Sequence, residues 1–255
     1  MKERSGNITD KLPAMVALAL LLFLWWAICA LDVVPAYMLP SPGAVLLAFT
    51  GDFKNLMYHA GTSLQEAAYG LLIGIVLAFI IAAVMDRFSV LDKAFSPLLV
   101  ITQTIPTIAI APLLVLWMGF GMAPKITLVV ITTFFPIAVG LLEGYRSVDQ
   151  DAIRLMRAMG ASRAQIFYHV KMPSALPFFF SGLRISASYA IVGAVISEWL
   201  GGFEGLGVYM TRVKKAYAFD RMFAVIILIV VISLLLMALV EVIRRLAMPW
   251  IKIRK

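Results

Sequence analysis

Polar side chains inside long apolar runs are the first candidates for chemistry in this chain, because such residues are costly in lipid and are often functional. The candidates are Gln103, Thr104, Ser197, Glu198 and Trp199, together with the neighbouring Pro106. The Glu198 carboxylate could attract an aromatic cation, and the Trp199 ring could stack on it. An anionic substrate would be repelled by Glu198, which would then be a gate or a structural residue. Its position near the end of an apolar run also allows simple hydration.

The chain carries no residue pattern typical of a metal centre or a covalent nucleophile. Cys29 is the single cysteine, and the two histidines, His59 and His169, have no companion ligands at useful spacing. Both histidines are therefore predicted to be ordinary surface residues. An intramembrane enzyme needs convergent nucleophile, base or metal ligands, which this sequence does not supply. The chain also has no Gly-rich phosphate-binding loop, so it is not expected to hydrolyse ATP itself.

The elements that carry the polar candidates are predicted to be membrane-spanning helices. Of the 255 residues, 62% are hydrophobic and 14% charged, whereas a soluble domain has roughly 45–50% and about 25%. A run of roughly 20 apolar residues crosses the hydrocarbon core as a helix. Such runs occupy residues 12–31, 64–85, 95–118, 124–142, 177–199 and 222–246. The sequence predicts an all-α membrane protein of about six transmembrane helices, in a single domain over 1–255 with core helices over 64–246.

The third apolar run is interrupted by Pro97, Pro106 and Pro112. A proline removes a backbone hydrogen bond and bends or breaks a helix. Broken helices are tolerated in membranes where they pack on protein or line a cavity. Residues 103–112 are therefore the predicted lining of a pathway, and a kink that serves only helix packing is the alternative.

The basic residues are distributed unevenly between the two sides of this topology. Most of them lie in the N-terminal segment, in the connections after the second and fourth runs, and in the C-terminal tail. The positive-inside rule then places both termini in the cytoplasm. The net charge of +8 is explained by this asymmetry, and no basic stripe interleaved with aromatic residues indicates nucleic-acid binding.

Two segments on the opposite side have local order. Residues 40–42 are Pro-Ser-Pro, and the apolar residues of 44–49 that follow predict a short amphipathic helix at the membrane surface. Four glycines between 201 and 207 predict a flexible turn after the fifth run.

A long connection, residues 143–176, joins the fourth and fifth runs, and connections of this length are usually functional. Residues 147–150 and 162–165 are capping-box patterns that each predict a helix start. Gly160 between them can end the first helix in the left-handed conformation. The second helix is predicted to stop before Pro173.

The first helix of this connection has an apolar face and several basic residues. Its apolar side chains are Ile153, Leu155, Met156 and Met159, and its basic ones are Arg154 and Arg157, while Arg163 lies at the start of the second helix. Such a ridge could lie on lipid or dock into a groove of a partner protein. The residue pattern alone leaves both alternatives open.

The same connection resembles the loop signature of ABC importer permeases. Residues 158–162 are Ala-Met-Gly-Ala-Ser, residues 170–173 are Val-Lys-Met-Pro, and residues 182–184 are Gly-Leu-Arg. The family pattern is Glu-Ala-Ala, three residues, Gly, nine residues and Ile-x-Leu-Pro, and Gly160 and Pro173 have this spacing.

Further stretches extend the resemblance over nearly the whole chain beyond the first helix. They are Leu-Pro-Ser-Pro at 39–42, Gln-Thr-Ile-Pro at 103–106, Trp-Met-Gly-Phe-Gly at 117–121 and Glu-Trp-Leu-Gly at 198–201. Together they are similar to the branch that imports nitrate, sulfonates, taurine or aminopyrimidine compounds that are thiamine precursors.

The resemblance implies that residues 151–173, the coupling segment, contact an ATPase. The implied residues are Asp151, Ile153, Arg154, Met156, Arg157, Met159, Gly160, Ala161, Arg163, Phe167 and Pro173. The chain departs from the family at 154–156, where Arg-Leu-Met stands in place of Glu-Ala-Ala. Asp151, one turn earlier, is the candidate for the acidic role.

The resemblance also implies a type I ABC importer permease fold in a bacterial plasma membrane. Its expected partners are a second permease chain of identical sequence, two cytoplasmic ATPases and an extracytoplasmic binding protein. ATP and magnesium belong to the ATPases, and no cofactor is expected in this chain. The alternative is a secondary transporter without an ATPase, which should show paired broken helices in two halves, whereas only one run here is strongly broken.

Overall fold

A computed structural model of the protein describes residues 8–250. These residues form helices joined by turns and contain no strand. The helices are α1 (Ile8–Ala30), α2 (Pro42–Gly51), α3 (Phe53–Arg87), α4 (Ser89–Thr104), α5 (Thr107–Met118), α6 (Met122–Arg146), α7 (Gln150–Ala158), α8 (Arg163–Ile166), α9 (Met172–Leu200), α10 (Leu206–Lys215) and α11 (Phe219–Ala247). A π-helical turn, Phe167–Lys171, lies between α8 and α9. The predicted all-α architecture is confirmed.

Among the described residues, five helices are long and apolar enough to cross a membrane. They are Leu12–Ala30, Phe53–Arg87, Met122–Arg146, Arg163–Leu200 and Phe219–Ala247. The bent pair of α4 and α5 passes the same test when it is taken together, which gives six spans. The prediction of about six spans is confirmed. The terminal basic residues Lys2, Arg4, Lys252, Arg254 and Lys255, on which the predicted orientation partly depends, lie outside the described residues.

The third span is broken at one of its three prolines. The chain bends by 97° between α4 and α5, where Ile105 and Pro106 are the only residues between the two helices. Ile105 has an extended backbone, with ψ at 119°, as expected of a residue before proline. Pro97 and Pro112 lie inside α4 and α5 and leave them continuous. The prediction that this span is not a straight rod is confirmed.

The prediction that the second helix of the long connection stops before Pro173 is wrong. Arg163–Leu200 is one continuous helix that runs through Pro173 into the membrane span. The π turn directly before this proline explains how the helix continues through it. Within it, the Met172 N–H donates to the Phe167 carbonyl, five residues back. The backbone register is thereby shifted by one residue at the point where Pro173 has no N–H to donate.

The helices group into two compact units. The first contains the described residues up to 57 together with 209–228, and the second contains 58–208 and the described residues from 229. In the first unit, the Ser41 hydroxyl caps α2 by accepting from the Ala44 N–H at 3.2 Å, so the predicted short helix is present. Its position at a membrane surface and the single permease domain stay predictions.

In the second unit, α6 and α9 approach so closely that glycine is required at their contact. A Cβ atom built on Gly182 of α9 would lie 2.3 Å from the Pro136 carbonyl oxygen of α6. Around this contact, Ile137, Leu141 and Phe180 are buried. Small residues let helices in lipid pack backbone against backbone. This helix pair is the centre of the unit that holds the candidate sites.

Candidate transport pathway and coupling segment

A cavity of about 360 Å³ lies at the break between α4 and α5, with further walls from α6 and α9. Its polar and aromatic lining includes Thr102, Gln103, Thr107, Thr132, Phe135 and Tyr189. Among the described residues that line it, none carries a charge. Its hydroxyl, amide and aromatic groups can orient a small polar or aromatic solute.

The structure separates the predicted pathway residues into two groups. Gln103 lines the cavity, beside the break at Pro106. Ser197 and Glu198 are 2% exposed and do not line it. Trp199 is 42% exposed and also lies outside its lining, as does the exposed Thr104. The fifth-run residues therefore belong to a different environment from the broken helix.

Glu198 lies in a buried hydrogen-bond network that joins α9 to α3 and to the start of α10. The Ser63 hydroxyl of α3 donates to Glu198 Oε1 at 2.6 Å. The Gly207 N–H donates to Glu198 Oε2 at 2.6 Å. Ser63 also accepts from the Leu206 N–H at 2.8 Å. Glu198 is thus held by the protein, and the prediction of simple hydration is wrong for this side chain.

His59 belongs to the same network and is 4% exposed, so its prediction as a surface residue is wrong. Its Nδ1 accepts a hydrogen bond from the Gly205 N–H at 3.1 Å. Gly205 has φ at +118°, and a Cβ on it would lie 2.2 Å from the Glu198 carboxyl. The glycine turn is therefore packed closely against buried polar groups. His169 is exposed, as predicted.

A buried ion pair lies beside this network. Lys125 Nζ of α6 binds Glu66 Oε1 of α3 at 2.7 Å, and the two residues are 4% and 0% exposed. Lys125 also donates to the Glu204 carbonyl at 3.4 Å. Buried charges are tolerated when they are paired and hydrogen-bonded. The pair joins two helices, and removal of either partner alone would leave the other charge buried without a counter-ion.

Glu66 and Lys125 are not among the site residues predicted from the sequence. Their positions in the sequence could have indicated a site, because Glu66 lies inside the second apolar run and Lys125 lies at the start of the fourth. Ionisable residues at such positions need a partner. The two are 59 positions apart, so only the helix packing identifies them as partners.

The coupling segment begins with α7, whose N-cap is Asp149 and not Ser147. The Asp149 carboxylate accepts from the Asp151 N–H at 2.9 Å. Ser147 instead ends α6, where its hydroxyl donates to the Gly144 carbonyl at 2.9 Å. The helix that the first capping box predicted is present, but the box itself is wrong, because α6 continues as far as Arg146.

The turn after α7 and the second capping box follow the predicted local chemistry. Gly160 has φ at +81°, and the Ala161 N–H donates to the Met156 carbonyl at 2.9 Å, as in a Schellman turn. The Ser162 hydroxyl accepts from the Gln165 N–H at 3.3 Å. The Gln165 side chain accepts from the Ser162 N–H at 2.7 Å. The predicted helix–glycine–helix is confirmed.

The predicted contact face of the segment divides into an internal and an exposed part. Ile153 is buried in a small apolar cluster with Ile166, against which the partly buried Met156 and Ala161 pack. The Phe167 ring packs 5.3 Å from that of Tyr145 on α6, between ring centroids. The exposed apolar residues are Leu155 and Met159, at 62% and 74% exposure. Arg154 pairs with Asp151 at 3.2 Å on the same exposed side.

The coupling segment is tied to the end of α3. Lys171 Nζ lies 2.6 Å from Asp86 Oδ1 and 2.8 Å from Asp86 Oδ2. A cavity of about 600 Å³ lies at this junction, and Arg157 and Arg163 are among its lining residues. The ion pair therefore joins the segment to α3, in addition to α9, with which the segment is continuous.

Comparison with known proteins identifies relatives over most of the chain. A family model described as binding-protein-dependent transport system inner membrane component matches residues 70–250. The chain is 38% identical over 225 residues to a probable ABC transporter permease protein of Haemophilus influenzae, covering 88% of this chain and 92% of the relative. It is 35% identical over 234 residues to the formylaminopyrimidine transport permease protein ThiX of Halalkalibacterium halodurans, covering 91% and 94%. Other relatives have riboflavin and taurine in their names.

The fold is also that of a solved transporter. The chain superposes on a chain of the MetNI methionine ABC transporter, solved in inward-facing conformations, with a TM-score of 0.67. The match covers 76% of this chain and 97% of that chain, at 20% identity. At this identity the likeness concerns the fold alone.

Proposed function

This chain belongs to the family of binding-protein-dependent transport system inner membrane components and is a permease subunit of an ABC importer, and we propose that it forms half of a pathway for a small solute. A second, identical permease chain forms the other half. Two cytoplasmic ATPases bind ATP and magnesium, and an extracytoplasmic binding protein delivers the solute. The complex lies in a bacterial plasma membrane with both termini in the cytoplasm, which the distribution of Lys and Arg supports.

One observation supports this function above the others, namely the continuity of the helix Arg163–Leu200. Its first residues belong to the coupling segment. Its later residues Tyr189, Val192 and Ile196 line the cavity at the broken helix. A force on the coupling segment therefore reaches the cavity wall through a single rod. Rocking of this rod, when the ATPases close and open, alternates the access of the cavity between the two sides.

The ATPase-contacting part of the coupling segment is its exposed side. Leu155 and Met159 offer exposed apolar side chains, and Arg157 and Arg163 offer charged contacts. Ile153 and Phe167 support this surface from within. Asp151, which pairs with Arg154, takes the role of the acidic residue in the family signature.

For the substrate, the uncharged lining of the cavity favours an aminopyrimidine over taurine, a sulfonate or nitrate. A fully charged anion in a cavity without a basic side chain would lose its hydration without compensation. A heteroaromatic solute can stack on Tyr189 and Phe135 and exchange hydrogen bonds with Gln103. The relative named for formylaminopyrimidine transport supports the same choice.

We expect Leu155→Asp and Met159→Asp each to reduce copurification of the ATPase with the permease by about tenfold, because truncating a central apolar contact of an interface typically has such an effect. The measurement is the ATPase-to-permease ratio after affinity purification of the coexpressed complex. Val90→Asp is the control, because Val90 is 78% exposed at the start of α4, outside the coupling segment.

Unchanged ATPase recovery with both coupling variants would show that docking occurs elsewhere. Failure of the wild type to retain any ATPase, together with solute uptake by the chain alone, would favour a secondary transporter.

We expect Gln103→Ala to reduce the uptake of an aminopyrimidine by roughly fivefold, which corresponds to the loss of one hydrogen bond of about 1 kcal/mol. The measurement is ATP-dependent accumulation by cells that express the complete importer. Thr104→Ala is the matched control, because Thr104 follows Gln103 in the chain and its exposed side chain does not line the cavity. Equal loss in both variants, or accumulation of taurine in place of the aminopyrimidine, would contradict the assigned lining or substrate class.

A further inference from the structure

A separate cavity lies in the first unit, where the connection from α1 to α2 meets the connection from α10 to α11. Its volume is about 250 Å³. Its described lining is mostly apolar and includes the aromatic residues Tyr37, Tyr217 and Phe219. Asp220 is the only charged residue among the described residues that line it. None of these lining residues belongs to the cavity at the broken helix or to the coupling segment.

The Asp220 carboxylate is half-buried in the first turn of α11. Among the described residues, none pairs with this carboxylate or donates a hydrogen bond to it. The adjacent Arg221 instead has its Nη1 4.0 Å from Asp52 Oδ2. Lys214 and Lys215 are exposed near the end of α10 and do not line the cavity. A half-buried carboxylate in such a position attracts a cation into the cavity.

Tyr217 is held in a backbone conformation that costs free energy. Its φ is +56°, in the left-handed region that residues other than glycine rarely adopt. It follows α10 in a Schellman turn, in which the Ala218 N–H donates to the Val213 carbonyl at 3.0 Å. In the corresponding turn after α7 this position is Gly160, the usual residue there. The tyrosine side chain is therefore present at a local cost that glycine would avoid.

Contacts within the protein do little to offset this cost. Tyr217 is 80% exposed, and its ring meets that of Phe219 edge-on, at 6.4 Å between centroids. Tyr37, on the connection from α1 to α2, is 64% exposed. Strained residues of this kind cluster at ligand clamps and other functional sites. Aromatic faces beside a carboxylate are complementary to an organic cation.

We propose that this cavity binds a small organic cation that carries a methylated ammonium group. The Asp220 carboxylate supplies the opposite charge, and the rings of Tyr37, Tyr217 and Phe219 supply cation–π contacts. A fully methylated ammonium group suits an apolar lining better than a primary one, because it has no N–H groups that need acceptors. The cavity is small for a ligand pocket, which suits an ion of this size. Binding here involves neither an ATPase nor a second permease chain.

Choline binding to the purified full-length protein tests the proposal, by calorimetric titration in a maltoside detergent without choline lipids. The uncharged isostere of choline, in which carbon replaces the nitrogen, should not bind measurably. We expect Asp220→Asn to weaken choline binding by at least about tenfold, because it removes the charge that pairs with the ligand. Asp32→Asn is the matched control and should keep the wild-type affinity, because Asp32 is an exposed carboxylate outside the lining.

Tyr217→Gly separates a binding role from a structural one. Glycine adopts the left-handed conformation without strain, so the melting temperature should stay at or above that of the wild type. The choline affinity should nevertheless fall by about fivefold, through the loss of one cation–π contact. Asp32→Gly is the control, because Asp32 is the other described non-glycine residue with a positive φ, at +52°. It lies outside the lining, so this variant should keep the wild-type affinity.

The proposal is overturned if the wild type does not bind choline, or if the uncharged isostere binds equally well. Wild-type affinity in Asp220→Asn would also overturn it. If Tyr217→Gly binds choline as the wild type does, the tyrosine ring is an anchor at the membrane interface, and the cavity is not an aromatic cation site.

Discussion

Lys125→Met is expected to abolish the recovery of folded protein after detergent extraction. The substitution removes the ammonium group that binds Glu66 at 2.7 Å and leaves a carboxylate buried without a counter-ion. Breaking a buried ion pair on one side typically costs about 3–5 kcal/mol, which is a large part of the stability of a domain. Folded yield and melting temperature, measured by size-exclusion chromatography and a thermal-shift assay, are the readouts.

The double variant Glu66→Gln with Lys125→Met decides whether the charge is the cause. It removes both members of the pair, so most of the lost yield should return. Lys93→Met is the control at an exposed lysine, where the change should stay within about 0.5 kcal/mol. If the double variant is as poorly recovered as Lys125→Met, Lys125 acts through another contact and the ion pair is not the source of the loss.

Gly182→Ala should lower the melting temperature sharply, at a cost of about 1–3 kcal/mol for overpacking a tight contact. The added Cβ would lie 2.3 Å from the Pro136 carbonyl oxygen and 3.1 Å from the Ile137 Cα atom. Both are backbone atoms, so α6 and α9 must move apart to accept the methyl group. The thermal unfolding of the purified protein measures the effect.

Gly61→Ala is the matched control for this helix contact. Gly61 lies within the membrane span α3, and a Cβ on it would meet no atom within 4 Å. Alanine is a better helix former than glycine by about 1 kcal/mol, so this variant should be as stable as the wild type or more so. Equal destabilisation of Gly61→Ala and Gly182→Ala would mean that the α6–α9 contact has no special role.

The sequence was sufficient to predict those structural features that depend on residues close together in the chain. The second capping box forms because Ser162 and Gln165 are three positions apart, and Gly160 adopts the left-handed conformation that ends α7. The same reasoning failed at Ser147. The preceding helix α6 continues to Arg146 and uses Ser147 as its own end. Two local patterns competed there, and the packing of α6 decided between them.

The prolines of the membrane spans also show which features the sequence predicts and which features the folded structure decides. The three prolines of the third run predicted that it is not a straight rod and favoured residues 103–112 as the lining. Of these three prolines, Pro106 is the one at which the chain bends, by 97°. At Pro173 the helix passes through, because the preceding π turn shifts its hydrogen bonding by one residue. Whether a proline ends a helix therefore depended on the backbone hydrogen bonding around it, which the residue types alone do not specify.

The sequence by itself determined the number of spans, the membrane environment, the helix–glycine–helix and the family, since each depends on local composition or on residues at short spacing. Only the tertiary structure decided that Glu66 and Lys125 meet, that Glu198 meets Ser63, that Gln103 and Tyr189 share a cavity, and that Ile153 is internal while Met159 is exposed. These features join residues far apart in the chain. Their contacts follow from how the helices pack, and helix packing depends on many weak contacts at once.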